Sequence, residues 1–295
     1  MPRPASWRTS RSVVGEAGVS VPRTLEIPEG VEVTRVLTAR SEHAVHRISA
    51  AGERVGSILL VPGWTGSKED FTPVLPLLAD LGFDVVTFDQ RGQYESPGDV
   101  EDDYSLEGLA EDALALADVT IQDERFHLLG HSFGGLVAQT LTIGHPDRIR
   151  TLSLLCTGPG ALGDTPTRPL QRLVTAIGKV PLLQIHELRE QGIKRPAQIT
   201  AFLAKRFTAN APASLKAMTQ HLLDAEDRVD EVAATGVPCW VARGETDDAW
   251  PHDVQAEMAR RLGTEIVILP SAAHSPGVEA PEELVDDWRG FLLAH

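Results

Sequence analysis

Short apolar runs alternate with amphipathic segments along most of the chain. Between the runs at 57–63 and 84–89, for example, Phe71, Val74 and Leu78 recur at the spacing of one helix face. Short apolar runs bounded by turn residues are typical of strands buried on both sides of a parallel sheet. The runs of this kind are SILLVPG (57–63), DVVTFD (84–89), FHLLG (126–130) and TLSLLC (151–156). The pattern predicts an α/β fold with a mostly parallel, doubly wound sheet and helices on both faces.

Two further runs precede this pattern, VEVTRVLTA (31–39) and AVHRISA (44–50). They are predicted to form an antiparallel lead-in at the edge of the same sheet. Helix starts are marked by Thr72 before Pro73 and by Ser105, because both residue types favour the N-cap position.

The strand pattern stops between residues 157 and 236, where three helical patterns occur, around 170–177, 199–207 and 215–223. Strands resume at 237–244 and 265–270, and a closing helix is predicted over 282–293. An insertion with apolar faces between two strands of one sheet is expected to cover the carboxyl edge of that sheet. The chain is therefore divided into an N-terminal extension, a core in two pieces and an inserted helical cap, or lid. Their bounds are 1–29 for the extension, 30–156 and 237–295 for the core, and 157–236 for the cap.

The extension carries scattered arginines without a clear apolar pattern, namely Arg3, Arg8, Arg11 and Arg23. We interpret it as a segment that docks loosely or frays, with a binding arm as the alternative.

Charge and composition exclude several classes of function. The formal net charge of −15 repels phosphate backbones, so nucleic acid is not an expected partner. No apolar stretch approaches the ~20 residues of a membrane span. Cys156 and Cys239 lie in apolar runs and are interpreted as buried thiols of a reducing, cytoplasmic compartment. No zinc motif is present in the sequence, and no metal or organic cofactor is predicted; the oligomeric state stays open.

The segment Gly130-His131-Ser132-Phe133-Gly134 stands between a predicted strand and a predicted helix. A glycine-x-serine-x-glycine turn at such a junction lifts the serine hydroxyl out of the sheet and makes it a candidate nucleophile. The glycines are needed because the turn leaves no room for Cβ atoms. Free N–H groups at the helix start would also stabilise an oxyanion.

A serine needs a base and an acid to become nucleophilic, and the sequence offers both in the order Ser, Asp, His. Asp247 and Asp248 follow the strand at 237–244, and His274 follows the strand at 265–270. Because open parallel sheets gather their sites at the carboxyl ends of strands, these side chains are expected to meet Ser132. By position along the chain alone, both Asp247 and Asp248 are candidates for the acid.

The remaining histidines are interpreted as structural or solvated. His131 is expected to pack beneath the turn, and His252 lies at a helix start on the wrong side of the acid. The others are His43, His46 and His127 in predicted strands, His145 and His186 among polar surface residues, and His221 in a cap helix. His274 remains as the base.

The motifs VPGWTGS, DQRGQYES, GHSFGG and the GETDDAWP/AAHS pair resemble those of the α/β-hydrolase superfamily, in particular its cap-bearing serine hydrolases. The resemblance covers about residues 30 to 295. The chain departs from it at Pro62, where His is common before the oxyanion-hole glycine, and at Tyr94, where a second glycine is common. These departures affect pocket shape and subfamily rather than the three catalytic candidates.

In the family the acid is usually the fourth residue of a glycine-x-x-aspartate turn with proline four residues later, and Gly244, Asp247 and Pro251 fit this spacing. The resemblance therefore favours Asp247 as the acid, and Asp248 is expected to cap the helix that begins near Pro251.

The resemblance implies an oxyanion hole formed by the backbone N–H groups of Trp64 and Phe133. It also implies hydrolysis of a carboxylic ester or related acyl bond of a small, moderately apolar molecule. Thioesters, lactones, amides, carbon–carbon bonds and acyl transfer remain open, since the same triad serves them. A ligand-binding member without catalysis is the alternative from another class.

Overall fold

The computed structural model describes residues 19–163 and 167–295, and within these ranges the strands form one eight-stranded sheet. The strands are β1 (Glu32–Leu37), β2 (Glu42–Ile48), β3 (Gly56–Val61), β4 (Phe83–Phe88), β5 (Phe126–His131), β6 (Ile149–Leu155), β7 (Cys239–Gly244) and β8 (Ile266–Leu269). The helices are α1 (Leu75–Asp80), α2 (Leu106–Thr120), α3 (Phe133–Gly144), α4 (Arg168–Ala176), α5 (Leu182–Arg189), α6 (Ala197–Thr208), α7 (Pro212–Asp224), α8 (Val229–Ala234), α9 (His252–Arg261), α10 (Pro276–Glu279) and α11 (Pro281–Ala294).

The strand order is β1-β2-β4-β3-β5-β6-β7-β8. Strand β2 runs antiparallel to β1 and β4, and every other pairing is parallel. The predicted sheet and its antiparallel lead-in are both confirmed. Because β3, β5, β7 and β8 point the same way, the loops that follow them meet at one edge.

The core lies on both faces of the sheet, as β3 shows. Leu59 and Val61 pack into the cluster that contains the apolar residues of α2 and α3, whereas Ile58 and Leu60 pack into the cluster of α1 and α11. All four side chains are buried, and each contributes roughly 1.5–3 kcal/mol by leaving water. Alternate residues of one strand thus hold the two helical layers, which is the doubly wound arrangement that the sequence predicts.

Helices α4 to α8 lie between β6 and β7. Helix α4 packs on α7, and α5 packs on α6, whereas α8 packs on α3 and α9. The sequence predicted three helices here and missed α5 and α8. The pattern of α5 is weak because two of its leucines, Leu183 and Leu188, are exposed.

The two predicted helix starts have different outcomes. Ser105 caps α2, since its Oγ accepts from the N–H of Gly108 at 3.0 Å. Thr72 does not cap a helix, because it is the first residue of a 3-10 helix that follows Phe71 directly. Its hydroxyl instead bonds the Lys68 carbonyl at 3.2 Å and lies 2.8 Å from Nδ1 of His46.

The N-terminal extension is described from residue 19 onward, so Arg3, Arg8 and Arg11 lie outside the described residues. Arg23 is exposed. Val19, Val21 and Leu25 pack against a small apolar cluster, so residues 19–25 are docked rather than frayed. The cluster consists of Tyr94, Ile199, Phe202 and Leu203.

Two hydrogen bonds fix the docked segment at Ser20. Its Oγ lies 2.8 Å from Oγ of Ser275, and its carbonyl accepts from the guanidinium of Arg206 in α6. Arg206 is buried and also donates to Asp70 at 2.7 Å. One arginine therefore ties the extension, α6 and the 3-10 helix at Lys68–Asp70 together.

No helix in the described part of the chain has the length and apolar character needed to cross a membrane. Cys156 and Cys239 are free thiols, the first fully buried and the second partly buried.

Candidate active site

Ser132 occupies the sharp turn between β5 and α3. Its backbone angles are φ 53° and ψ −124°, a region that a residue with a side chain adopts only where the surroundings enforce it. Its N–H bonds the Leu155 carbonyl at 2.9 Å, and its carbonyl accepts from Gly135 at 2.8 Å. The strand-to-helix turn that the sequence predicted is present.

The glycines on either side of the turn are required by close backbone contacts. A Cβ on Gly130 would collide with the carbonyl of Gly134. A Cβ on Gly134 would lie 2.5 Å from the Pro62 carbonyl oxygen and closer still to that of Val61. Any side chain here would push the turn away from β3 and the loop after it.

The structure brings the three predicted side chains together at the carboxyl edge of the sheet. Nε2 of His274 lies 3.0 Å from Oγ of Ser132, and its Nδ1 lies 2.7 Å from Oδ1 of Asp247. All three residues are buried. Distances of this size allow a proton to pass from the hydroxyl to the imidazole while the carboxylate holds the ring.

The carboxylate that meets His274 is Asp247, and Asp248 is exposed. Oδ1 of Asp247 also accepts from the N–H of Ala249 at 3.2 Å, and Oδ2 accepts from Nε2 of Gln255 at 3.0 Å. The expectation that Asp248 caps α9 is wrong. That helix begins at His252 with Pro251 in the N-cap position, and no side chain caps it.

The charges of the pair shift both pKa values in complementary directions. Burial alone lowers the pKa of His274, but the hydrogen bond and negative charge of Asp247 outweigh it and raise the pKa above its ordinary value. Burial alone raises the pKa of Asp247, but the hydrogen bond and charge of His274 outweigh it and the pKa falls. Asp247 is thus ionised and stabilises the protonated imidazole.

His131 supports the base from beneath. Its Nε2 lies 2.6 Å from the carbonyl oxygen of His274, and its ring packs edge-on against Phe71. Burial, with the nearby charge of His274, lowers the pKa of His131 to about 3. A neutral ring facing a carbonyl must donate from Nε2, so His131 holds the backbone of His274 in place.

Of the other histidines, His186 departs from its sequence interpretation, whereas His252 lies at a helix start as expected. His186 is buried against the ring of Phe207, because α5 folds onto α6, and is not a surface residue. Nε2 of His252 lies 2.6 Å from the carbonyl oxygen of Asp247, so His252 supports the loop that carries Asp247.

The loop after β3 lies directly beside the serine. A Cβ on Gly63 would be 3.0 Å from Cβ of Ser132, and Gln90 Nε2 anchors the preceding carbonyl of Pro62 at 2.8 Å. Among residues 19–163 and 167–295, no carbonyl accepts a hydrogen bond from the backbone N–H of Trp64 or Phe133. Both amides are therefore free to donate to an oxyanion.

Helix α7 covers both of these residues. The indole Nε1 of Trp64 donates to Oγ1 of Thr219 at 3.0 Å. The ring of Phe133 stacks on His221, with centroids 6.3 Å apart. Trp64 is 5% exposed, so it is not a free loop aromatic.

Sequence reasoning missed several residues that hold the site. They include Gln90 and Gln255. The carboxylate of Glu279 also accepts from the N–H groups of Ala273 and Ser275 at 2.7 and 3.1 Å and fixes the loop of His274. No local sequence pattern predicts these hydrogen bonds, because the partners of a glutamine or glutamate depend on the tertiary structure.

One group in the described part of the chain brings three metal-ligating atoms within 4.8 Å of one another: His131, Cys156 and His274. Both ring nitrogens of His274 are already hydrogen-bonded, as is Nε2 of His131. Burial strongly raises the pKa of the Cys156 thiol, which keeps it protonated. The group fits a hydrogen-bonded triad better than an ion site.

Comparisons with known proteins identify the family to which the chain belongs. Residues 58–287 match the family model described as "Alpha/beta hydrolase family". The chain is 27% identical over 248 residues to "Putative carbamate hydrolase RutD" of Rhizobium rhizogenes (strain K84 / ATCC BAA-868), covering 81% of this chain and 93% of that protein. It is 27% identical over 261 residues to "Pimeloyl-[acyl-carrier protein] methyl ester esterase" of Aeromonas hydrophila subsp. hydrophila, covering 83% of this chain and 100% of that protein.

Among solved structures, a thermophilic esterase from Thermogutta terrifontis superposes with a TM-score of 0.73 at 22% identity. The superposition covers 88% of this chain and 98% of that one, and it shows the shared fold. The family match spans most of the chain, from β3 to α11. The chain therefore belongs to the alpha/beta hydrolase family and is a hydrolase.

Proposed function

We propose that this hydrolase cleaves a carboxylic ester, or a related acyl bond, of a small and moderately apolar molecule through an acyl-enzyme. The observation that carries the proposal is the buried chain of contacts from Ser132 through His274 to Asp247, at 3.0 and 2.7 Å. The names of two relatives, a methyl ester esterase and a carbamate hydrolase, support the same class of bond.

In the first half-reaction Oγ of Ser132 attacks the carbonyl carbon while Nε2 of His274 takes the hydroxyl proton. The carbonyl oxygen becomes an oxyanion that accepts from the N–H groups of Trp64 and Phe133. The imidazolium, stabilised by Asp247, then gives its proton to the leaving alcohol. This leaves the acyl group on the serine.

In the second half-reaction the roles repeat with water. His274 takes a proton from a water molecule, the hydroxide oxygen attacks the acyl carbon, and the proton returns to Oγ of Ser132 as the acid leaves. These two half-reactions require neither a metal nor an organic cofactor.

We also propose that α4 to α7 form the lid over this site. The support is the pair of contacts that α7 makes with the oxyanion residues, Thr219 to Trp64 and His221 to Phe133. A lid in this place would exclude water and shape the acyl pocket. Thioester, lactone, amide and carbon–carbon cleavage and acyl transfer use the same first half-reaction, so a substrate panel has to separate them.

The test is labelling by a fluorophosphonate probe combined with turnover of activated esters. The native protein should be labelled at Ser132 and should hydrolyse the esters, and Ser132→Ala should lose labelling and about 10⁴-fold or more in kcat while melting normally. A ligand-binding member of the fold would not be labelled. Retention of activity within tenfold in the variant would refute the assignment of the nucleophile.

A further inference from the structure

Arg189, the last residue of α5, lies against two aromatic rings near the active site. Its guanidinium carbon is 4.9 Å from the ring centroid of Trp64 and 5.0 Å from that of Phe207. Cation–π contacts of this length use the π faces of the rings and fix the position of the guanidinium. The ring faces supply no lone pairs that could accept hydrogen bonds from its N–H donors.

Two other arginines, both buried, have carboxylate partners. Arg206 is paired with Asp70, and Arg91 with Asp112. In the described parts of the chain, by contrast, no carboxylate lies within ion-pair distance of Arg189 and no group accepts a hydrogen bond from it. In a protein with a net charge of −15, an arginine without an acidic partner beneath a helical layer calls for an explanation.

The surroundings of Arg189 penalise its charge. Burial, and secondarily the charge of Arg206, lower the pKa of Arg189 to about 10, so it remains protonated at neutral pH. Its other neighbours do not compensate, since Glu190 is paired with Arg195, and His186 has a pKa lowered by burial and by Arg189. A partly desolvated cation gains stability when an anion binds to it. The side chain keeps partial contact with solvent, so an anion can reach its N–H groups.

The position of this cation relates it to the proposed reaction. Trp64 supplies the proposed oxyanion N–H from its backbone and carries Arg189 on its ring, so the guanidinium lies one side chain away from the reacting carbonyl. We propose that Arg189 binds a carboxylate of the ester substrate, separated from the scissile carbonyl by a short apolar chain. This inference rests on the proposed function and names its substrate class, the half-esters of dicarboxylic acids.

A carboxylate fits better than a phosphate. The planar edge of a guanidinium matches two carboxylate oxygens in a bidentate pair. Arg206, the neighbouring cation whose charge acts on Arg189, is neutralised by Asp70, so Arg189 would meet the anion as a single charge. One cation matches a monoanion, whereas a phosphate monoester carries more charge than Arg189 alone would neutralise.

The first experiment compares two ester series of equal chain length, the monomethyl esters of dicarboxylic acids and the methyl esters of monocarboxylic acids. Native protein should have the higher kcat/KM on the charged series. Arg189→Met should lower kcat/KM on the charged series by about 10- to 100-fold, the scale of a lost hydrogen-bonded charge pair, and should change the neutral series much less. Arg189→Lys should fall between the two, because it keeps the charge and loses the bidentate geometry.

The matched control is Arg172→Met on α4, which removes an exposed positive charge from the same helical layer and should leave the ratio between the two series unchanged. An equal loss on both series in Arg189→Met would show that Arg189 only supports Trp64, and would overturn the proposal. Equal rates of the native protein on both series would overturn it as well. Preference for a phosphate-terminated ester would overturn the choice of carboxylate.

A second readout does not depend on hydrolysis. Calorimetry of the same half-esters with Ser132→Ala protein should show binding that weakens with salt and is lost in the double variant with Arg189→Met. Binding without turnover in the native protein would uphold the anion site and refute the esterase mechanism. Turnover of neutral and charged esters at equal rates would uphold the esterase mechanism and refute the anion site.

Discussion

The indole Nε1 of Trp64 donates a hydrogen bond to Oγ1 of Thr219, 3.0 Å away, and so joins the loop after β3 to helix α7. The same hydroxyl donates to the Leu215 carbonyl within the helix. The side chain of Trp64 is thus held by the helical layer, while Gly63 before it lies beside Ser132. The geometry of the proposed oxyanion hole should therefore respond to changes in a helix that contributes no member of the proposed triad.

Replacing Thr219 with valine keeps the shape of the side chain and removes the acceptor. The buried indole N–H is then left unpaired, at a penalty of about 1–3 kcal/mol. If part of this is relieved by movement of the loop, kcat should fall more than KM rises. Steady-state kinetics on a small activated ester check this. Thr175→Val is the control, since Thr175 makes the same kind of helical bond from an exposed position on α4; equal effects of both variants would contradict the coupling.

Asp247→Asn should cut kcat severely, by about 10⁴-fold, because an amide at this position favours the wrong tautomer of His274. The side chain keeps its shape and its contact with Gln255, so the melting temperature should change little by comparison. Asp248→Asn is the matched control on the neighbouring, exposed residue. It should leave kcat near the native value, and the opposite ranking of the two variants would show that the acid is misassigned.

The acid limb of kcat/KM should lie above pH 6.5, the ordinary histidine pKa. His274 accepts the serine proton only when neutral, and Asp247 raises its pKa, so activity should fall as the pH drops through that raised value. Removing the carboxylate charge in Asp247→Asn should move the limb to lower pH. His131 cannot produce this limb, because its pKa is lowered to about 3. A limb that does not move in the variant would point to another group.

The buried pair of Asp70 and Arg206 should matter strongly for folding. Both side chains are at most 3% exposed and lie 2.7 Å apart. Asp70→Asn leaves the guanidinium buried without a counter-charge and should lower the free energy of unfolding by about 3–5 kcal/mol. Asp286→Asn breaks an exposed pair with Arg289 and should change it by about 0–1 kcal/mol. The free energies of unfolding of both variants are measured by denaturant titration. Similar losses in the two variants would contradict the role assigned to burial.

The sheet and the serine turn were predictable because their signals are local. Buried strands are apolar over a short run, and a glycine-x-serine-x-glycine turn has to sit where a strand meets a helix. The order and spacing of Asp247 and His274 followed from the same strands. The resemblance then indicated Trp64 and Phe133, which the structure places beside Ser132 with free N–H groups.

What the sequence did not reveal depends on contacts between distant segments. Arg189 stands in a polar stretch next to Glu190, where it resembles an ordinary solvated residue, and only the fold brings Trp64 and Phe207 against it. His186 was misinterpreted for the same reason. The N-terminal segment looked unstructured because its few apolar residues, such as Val19 and Val21, have no periodic pattern and find their partners far along the chain.

The bond between Ser20 and Ser275 spans 255 residues of sequence, and this separation has a consequence for biosynthesis. Ser20 is synthesised 255 residues before its partner. At a translation rate of roughly 5 to 20 residues per second, Ser275 is made on the order of ten seconds to a minute after Ser20. The apolar cluster that Val19, Val21 and Leu25 cover ends at Leu203, so it is synthesised before Ser275. The hydrogen bond of Ser20 thus needs a later part of the chain than the apolar contacts of its own segment do.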